Sequence, residues 1–356
     1  MKIVIYGLTI TSSWGNGHAT TYRSLAKALS AKGHQIHFIE KDVEWYRNNR
    51  DMPHPPYCSV HLYDSWSKHL RDISVDADAV IVGSYFPDAI PLTHELLDAD
   101  LGPLFFYDID TPITLSRLRA CGHTDYLDAG LIPHFSAYLS FTGGPTLQEL
   151  RDCFGSPNPV PFYCSVDTDL YSPAAPSNRY KCDLSYLGTY AADRQSMLDR
   201  FINGSASLLP SMQFLVAGSQ YPKDCAWPSN VGRIIHISPR EHASFYSSSR
   251  FTLNLTRADM VAAGYSPSVR LFEAAACGAP LLSDNWLGLD EFLAPGEEIL
   301  IPVDEYEVAS ILRHFPERDR TLLAARARER ILSCHTAEHR AAQFEAIVAG
   351  CYAGKA

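Results

Sequence analysis

Lys2–Gly7 (KIVIYG) leads almost directly into Thr9–Gly17 (TITSSWGNG), after which Ala19, Tyr22, Leu25, Ala26 and Leu29 recur at helical spacing. A short β-rich apolar run, a glycine-bearing loop and an amphipathic helical period, in that order, predict a strand–loop–helix unit of parallel sheet. Gly33 stands where a helix C-cap belongs, and Gln35–Ile39 (QIHFI) predicts the next strand. Ala79–Val82 (AVIV) and Leu104–Tyr107 (LFFY) read as strands buried on both faces. A helix is expected between them, opening at Pro87 and running to about Leu97. Ala137–Phe141 (AYLSF) leads through Gly143-Gly144-Pro145 into another helix.

Residues 155–180 change character: Pro, Ser and Asn crowd together, as in a connection between domains. A second alternating series follows, with strands expected at Leu184–Leu187, Gln213–Ala217, Arg233–Ile237, Thr252–Leu255, Pro280–Ser283 and Glu298–Ile301. From Glu305 to about Cys351 the chain is rich in Ala, Arg, Glu and Leu and predicts helix. The expected architecture is α/β: two Rossmann-like, doubly wound parallel-sheet domains facing a central cleft at their strand C-ends. Residues 1–165 form the first domain and 166–335 the second. Residues 336–356 form a C-terminal helix, whose return to the first domain is left open.

Composition narrows the function. The 356 residues are 46 % hydrophobic and 20 % charged, a globular balance. The net charge of −10 argues against a partner held by its phosphate backbone, so no nucleic acid is expected. There is no apolar run of about 18 residues, so no membrane span is expected. MKIVIYGL lacks a signal-peptide cleavage pattern. Nine scattered cysteines without a CxxC fit a reducing, cytoplasmic setting, with most of them small buried residues.

Two places carry chemistry in the first half. The loop Trp14-Gly15-Asn16-Gly17 lies between strand and helix, where backbone N–H groups and the positive helix end face an anion or an acceptor. It fits neither GxGxxG nor the P-loop, which disfavours a standard dinucleotide site. His18 follows it as a base or hydrogen-bond donor. Asp108 and Asp110 follow the LFFY strand and point the same way if the chain stays extended; either a proton-accepting role or helix capping fits them. DxD recurs at Asp76/Asp78, Asp98/Asp100, Asp108/Asp110 and Asp167/Asp169, a frequency that reads as chance, so no metal is expected.

In the second half, Gly188-Thr189-Tyr190 joins a strand to a helix with Arg194 in its first turn, a pattern suited to a diphosphate. Ser268-Val269-Arg270 opens a second helix, and Glu273 sits one turn in, placed to accept bonds from ribose hydroxyls. The plain alternative for Glu273 is a solvated helix residue.

Arg270–Asp284 (RLFEAAACGAPLLSD) followed by Gly288–Ile301 (GLDEFLAPGEEILI) resembles the donor-binding segment of group 1 glycosyltransferases of GT-B architecture. Ser165–Pro173 (SVDTDLYSP) is similar to the GVDxxxFxP interdomain segment of those enzymes. More closely, SSWGNGHATTYRSLAKAL, FYDIDTPITL, YLSFTGGPTL, YLGTYAADRQ, LNLTRADM and SPSVRLFEAAACG resemble CgeB-like glycosyltransferases. The resemblance implies a GT-B fold, Glu273 on the nucleotide ribose and base recognition near His236-Ile237. It departs at EX7E, whose first Glu is replaced by Tyr265.

The expected function is metal-independent transfer of a sugar from a UDP, GDP or dTDP sugar to a saccharide, protein or small-molecule acceptor, with no bound cofactor. Two rivals are a nucleotide-sugar epimerase or hydrolase, and an inactive sugar-binding scaffold.

Overall fold

The computed structural model describes residues 1–99 and 101–353. Asp100, one member of the DxD pairs, and the last three residues lie outside the described part. The chain divides into two compact units, Met1–Ser165 with the segment from Ala337 onward, and Val166–Thr336.

The first unit is built on seven parallel strands: β1 (Lys2–Tyr6), β2 (Gln35–Lys41), β3 (Ser59–Tyr63), β4 (Ala79–Gly83), β5 (Leu104–Asp108), β6 (Ala137–Ser140) and β7 (Pro159–Pro161). Their order is β3-β2-β1-β4-β5-β6-β7, so the winding reverses between β1 and β4. β4 and β5 are buried on both faces, which explains their unbroken apolar sequences. β7 holds two prolines, tolerated because the strand lies at the sheet edge. The C-terminal helix Ala337–Ala353 packs on this unit: Phe344 is buried against Phe105 and Phe162, and Gln343 donates to the Pro161 carbonyl at 2.8 Å.

The second unit has five parallel strands: β8 (Cys182–Leu187), β9 (Phe214–Ala217), β10 (Val231–Ile234), β11 (Ser249–Asn254) and β12 (Leu281–Ser283). Their order is β10-β9-β8-β11-β12, with the reversal between β8 and β11. Two expectations are corrected here. The strand expected at 233–237 ends at Ile234, so His236 and Ile237 lie in the loop beyond it. Glu298–Ile301 forms no strand: Gly296 takes a positive φ, its N–H bonds the Ile299 carbonyl, and the Glu298 carboxylate accepts from Ala294 N, which holds the chain in a turn. Only Leu300 bridges to β12. Nor are most cysteines buried: Cys164, Cys182 and Cys277 are, the other six are not, and all nine are free thiols.

Candidate functional site

In an open parallel sheet, ligands bind beyond the strand C-ends where the winding reverses. In the second unit that place lies between β8 and β11. Gly188 and Gly218 let two strand ends touch there. A Cβ on Gly188 would stand 2.7 Å from Tyr186 Oη and 2.8 Å from Arg270 Nη2, and one on Gly218 would fall 2.0 Å from the Gly188 carbonyl. Gly188 N donates to the Ala217 carbonyl and Tyr190 N to the Ser219 carbonyl.

Arg270 is 7 % exposed and ties the two strand ends together. Its Nε donates to the Leu187 carbonyl at 2.5 Å, and its Nη1 to Asn254 Oδ1 at 2.9 Å. Its guanidinium lies 4.7 Å from the Tyr186 ring centroid. Ser268, the N-cap of the helix Val269–Ala276, donates to the same Asn254 oxygen at 2.6 Å. Asn254 Nδ2 in turn reaches Ser283 Oγ at 2.9 Å. Asn254 is thus the hub of the reversal point, and sequence reasoning did not single it out. Its signal was an amide at the polar end of the apolar strand FTLN, where no packing role needs one.

Arg194 folds back so that Nη2 donates to the Thr189 carbonyl at 2.7 Å, and its buried Nε has no hydrogen-bond partner. Glu273 is not a solvated helix residue: it is 4 % exposed. Burial pushes its carboxyl up to about 7, opposed by a hydrogen bond from Tyr171 and by the Arg270 charge. Ile237 is buried, and its carbonyl accepts from His242 Nε2 at 3.2 Å, while His236 is exposed. Gly188, Thr189, Ser268, Val269, Arg270 and Glu273 therefore gather around the ends of β8 and β11, whereas His236 turns to solvent.

In the first unit the reversal lies between β1 and β4. The loop after β1 is held by two carboxylates. Glu40, fully buried at the end of β2, accepts from Ile10 N, Thr11 N and Thr11 Oγ1 at 2.6–3.0 Å. Asp51 accepts from Ser13 N and takes both ends of the Arg23 guanidinium at 2.8 and 2.9 Å. Asn16 Oδ1 caps the helix start by accepting from Ala19 N, and its amide donates to the Trp14 carbonyl. Gly15 takes φ +69°, and Gly17 is exposed.

This loop delivers His18 as the first residue of the helix His18–Ala31. Its side chain is 9 % exposed, Nε2 lies 3.7 Å from Asp110 Oδ2, and the buried Nδ1 has no hydrogen-bond partner. The ring stands edge-on to Tyr85 at 5.4 Å. Tyr85, at the end of β4, has φ +63°, a strained conformation for a residue with a side chain and one that sequence cannot announce.

The two aspartates part company. Asp108 is the last residue of β5 and 0 % exposed. Tyr138 Oη, Thr114 Oγ1 and the Asp110 N–H all donate to it. Burial pushes its carboxyl up to about 6. The chain leaves the extended conformation at Asp110, the N-cap of the helix Thr111–Cys121, so the two carboxylates do not share a direction. Asp110, not Asp108, reaches His18.

Among the described residues, no group of three or more His, Cys, Asp or Glu is arranged to hold a metal ion, and no helix is long and apolar enough to cross a membrane.

Residues 194–346 match a protein family described as glycosyl transferase-like. No curated protein matches the sequence. Among solved structures, sucrose-phosphate synthase from Thermosynechococcus elongatus aligns over 99 % of both chains at 14 % identity, with a TM-score of 0.74. Anabaena HepE, solved in complex with UDP-glucose, aligns over 98 % of this chain and all of its own at 12 % identity, with a TM-score of 0.71. The T4 phage BGT structure with UDP and Mn2+ aligns over 98 % and 99 % at 13 % identity, with a TM-score of 0.62. The whole-chain likeness establishes the architecture: this chain has a GT-B fold, and residues 194–346 carry a glycosyl transferase-like sequence match.

Proposed function

We propose that the protein moves a sugar from a nucleoside-diphosphate sugar, of uridine type, to an acceptor saccharide, protein or small molecule, without a metal ion. On this reading the second unit binds the donor. The observation that carries it is Glu273: a carboxylate sequestered from water, one turn into a helix that starts where a parallel sheet reverses its winding. Such a carboxylate accepts two bonds from vicinal hydroxyls, as a ribose offers. The choice of uridine is supported by HepE, whose structure is titled as a complex with UDP-glucose.

As the diphosphate departs, negative charge grows on its oxygens. The unpartnered Arg194 Nε and the N–H groups of Val269 and Arg270 stabilise that charge, which lowers the barrier only to the extent that they meet the transition state better than the ground state. Arg270 itself is tied to Leu187 and Asn254 and acts mainly by holding the site. In the first unit, Asp110 orients His18, whose Nδ1 takes the acceptor proton if configuration inverts. If configuration is retained, the leaving phosphate takes that proton and His18 positions the acceptor. The CgeB-like resemblance and a cytoplasmic location belong to the same proposal.

Thermal unfolding with UDP, GDP, dTDP and their glucose conjugates tests it, because a ligand specific to the native state raises Tm by mass action. A rise with UDP and UDP-glucose is expected. No rise with any nucleotide would remove the donor site. Turnover without an acceptor would make the enzyme an epimerase or hydrolase, and activity lost in EDTA but restored by magnesium or manganese would overturn metal independence.

A further inference from the structure

Arg233, the penultimate residue of β10, carries a guanidinium that the protein covers but does not neutralise. Its central carbon lies 3.9 Å from the Tyr221 ring centroid and 4.3 Å from that of Trp227. The two rings meet edge to face, with centroids 5.5 Å apart, so they form a corner around the cation rather than a sandwich. Nη2 donates to the Gly218 carbonyl at 3.3 Å, whereas the buried Nη1 has no hydrogen-bond partner. Among the described residues no carboxylate pairs with Arg233.

This corner is built onto the strand ends where the winding reverses. Tyr221 Oη donates to the Gly188 carbonyl at 3.1 Å. Gly218, whose carbonyl Arg233 holds, is the glycine that packs against that same Gly188 carbonyl. Arg194 holds the next carbonyl along, that of Thr189, and it too keeps a buried N–H without a partner. Gln220, between Gly218 and Tyr221, takes φ +67°, a conformation that a residue with a side chain rarely adopts.

Aromatic rings attract a cation through their quadrupoles but carry no net charge. A covered guanidinium with one unmet N–H and no counter-ion therefore raises the free energy of the empty protein, and a bound anion recovers it. A sugar hydroxyl would meet the hydrogen bond alone; a phosphate oxygen meets both the bond and the charge.

We propose that Arg233 is a further phosphate-binding residue of the donor site, acting beside Arg194, with Tyr221 and Trp227 holding its guanidinium in place until Nη1 meets an oxygen of the diphosphate. The inference rests on the donor-site reading above. The rings fix the side chain before the nucleotide arrives, so less of its freedom is lost on binding. Because Nη1 is covered, the oxygen reaches it as residues 219–230 give way, and Gln220 is the strained point of that loop.

The test is calorimetric titration of uridine and of UDP into wild type, Arg233→Met and Arg233→Lys, with urea unfolding to confirm that each variant is folded. Arg233→Met keeps an apolar stem between the rings and loses the charge. It is expected to bind uridine as wild type does and UDP about ten-fold or more weakly, with a shallower dependence of UDP affinity on added salt. Arg233→Lys keeps the charge but not the planar fork, and should fall between the two. Wild-type UDP affinity in Arg233→Met overturns the proposal and leaves the donor site intact. Equal losses for uridine and UDP also overturn it, since they mean that Arg233 only ties the loop to β9. If Arg233→Met does not fold, Arg233→Lys carries the same comparison: a loss for UDP greater than for uridine upholds the phosphate contact, and an equal loss or none overturns it. A wild type that binds neither ligand overturns the donor-site reading and the proposal together.

Discussion

The two sheets reverse their winding at equivalent places, between β1 and β4 in one unit and between β8 and β11 in the other, and the side chains gathered there are bonded very differently. Beside β8 and β11, Arg270, Asn254, Ser268 and Ser283 satisfy one another. Beside β1 and β4, the inner layer is equally well bonded, with Glu40, Asp51 and Asp108 each taking three or more hydrogen bonds. The outer layer is not: His18 keeps a buried Nδ1 without a partner, and Tyr85 is strained. An unmet donor or acceptor under cover costs free energy in the empty protein and is recovered only when a ligand arrives. Each reversal point keeps such a group, Arg194 Nε beside β8 and His18 Nδ1 beside β1, and in the first unit the histidine stands edge-on to the strained Tyr85.

This contrast makes stability, turnover and affinity respond separately. Arg270→Met should do the most damage to folding. It leaves the Leu187 carbonyl and Asn254 Oδ1 short of a donor in a buried site, a loss of about 3 kcal/mol or more in urea unfolding. Equal stability of variant and wild type would mean that the strand ends hold without it. His18→Ala should leave UDP affinity and Tm near wild type and lower kcat for transfer about a hundred-fold. A change in UDP affinity of similar size would place His18 on the donor instead.

Glu273→Ala should weaken donor binding by about ten- to a hundred-fold and Glu273→Gln by less, with circular dichroism confirming the fold. Arg194→Ala should cost UDP affinity about ten-fold; unchanged affinity would end its assignment to the phosphates. Asp108→Asn tests stability rather than affinity. Asp108 holds its proton more tightly folded, at about 6, than its ordinary 3.8. Its contribution to stability is therefore present below about pH 4 and lost as pH rises through about 6. Unfolding free energies of the variant and wild type, compared between those pH values, should diverge by on the order of 1–3 kcal/mol.

The alternation of apolar runs with helical periods was legible because strands buried on both faces must be continuously apolar, as AVIV and LFFY are. β3 was not legible. Its residues Ser59–Tyr63 (SVHLY) form an edge strand with only Tyr63 buried, so no apolar pattern is required of them. Glu298–Ile301 misled for the opposite reason: its first two residues bond back to the Ala294 carbonyl in a turn, and only Leu300 meets β12.

At the site, residue types and their places on the elements follow from local sequence, because a glycine turn after a strand and a polar residue before a helix have local conformational causes. That much covers Gly188, Ser268, Glu273 and His18. Which aspartate reaches His18 does not follow, since Asp108 and Asp110 differ only in whether the chain stays extended for two more residues. Nor does the hub at Asn254. It joins side chains that are distant along the chain, and burial, which sets their hydrogen bonds, exists only once the sheet has brought them together.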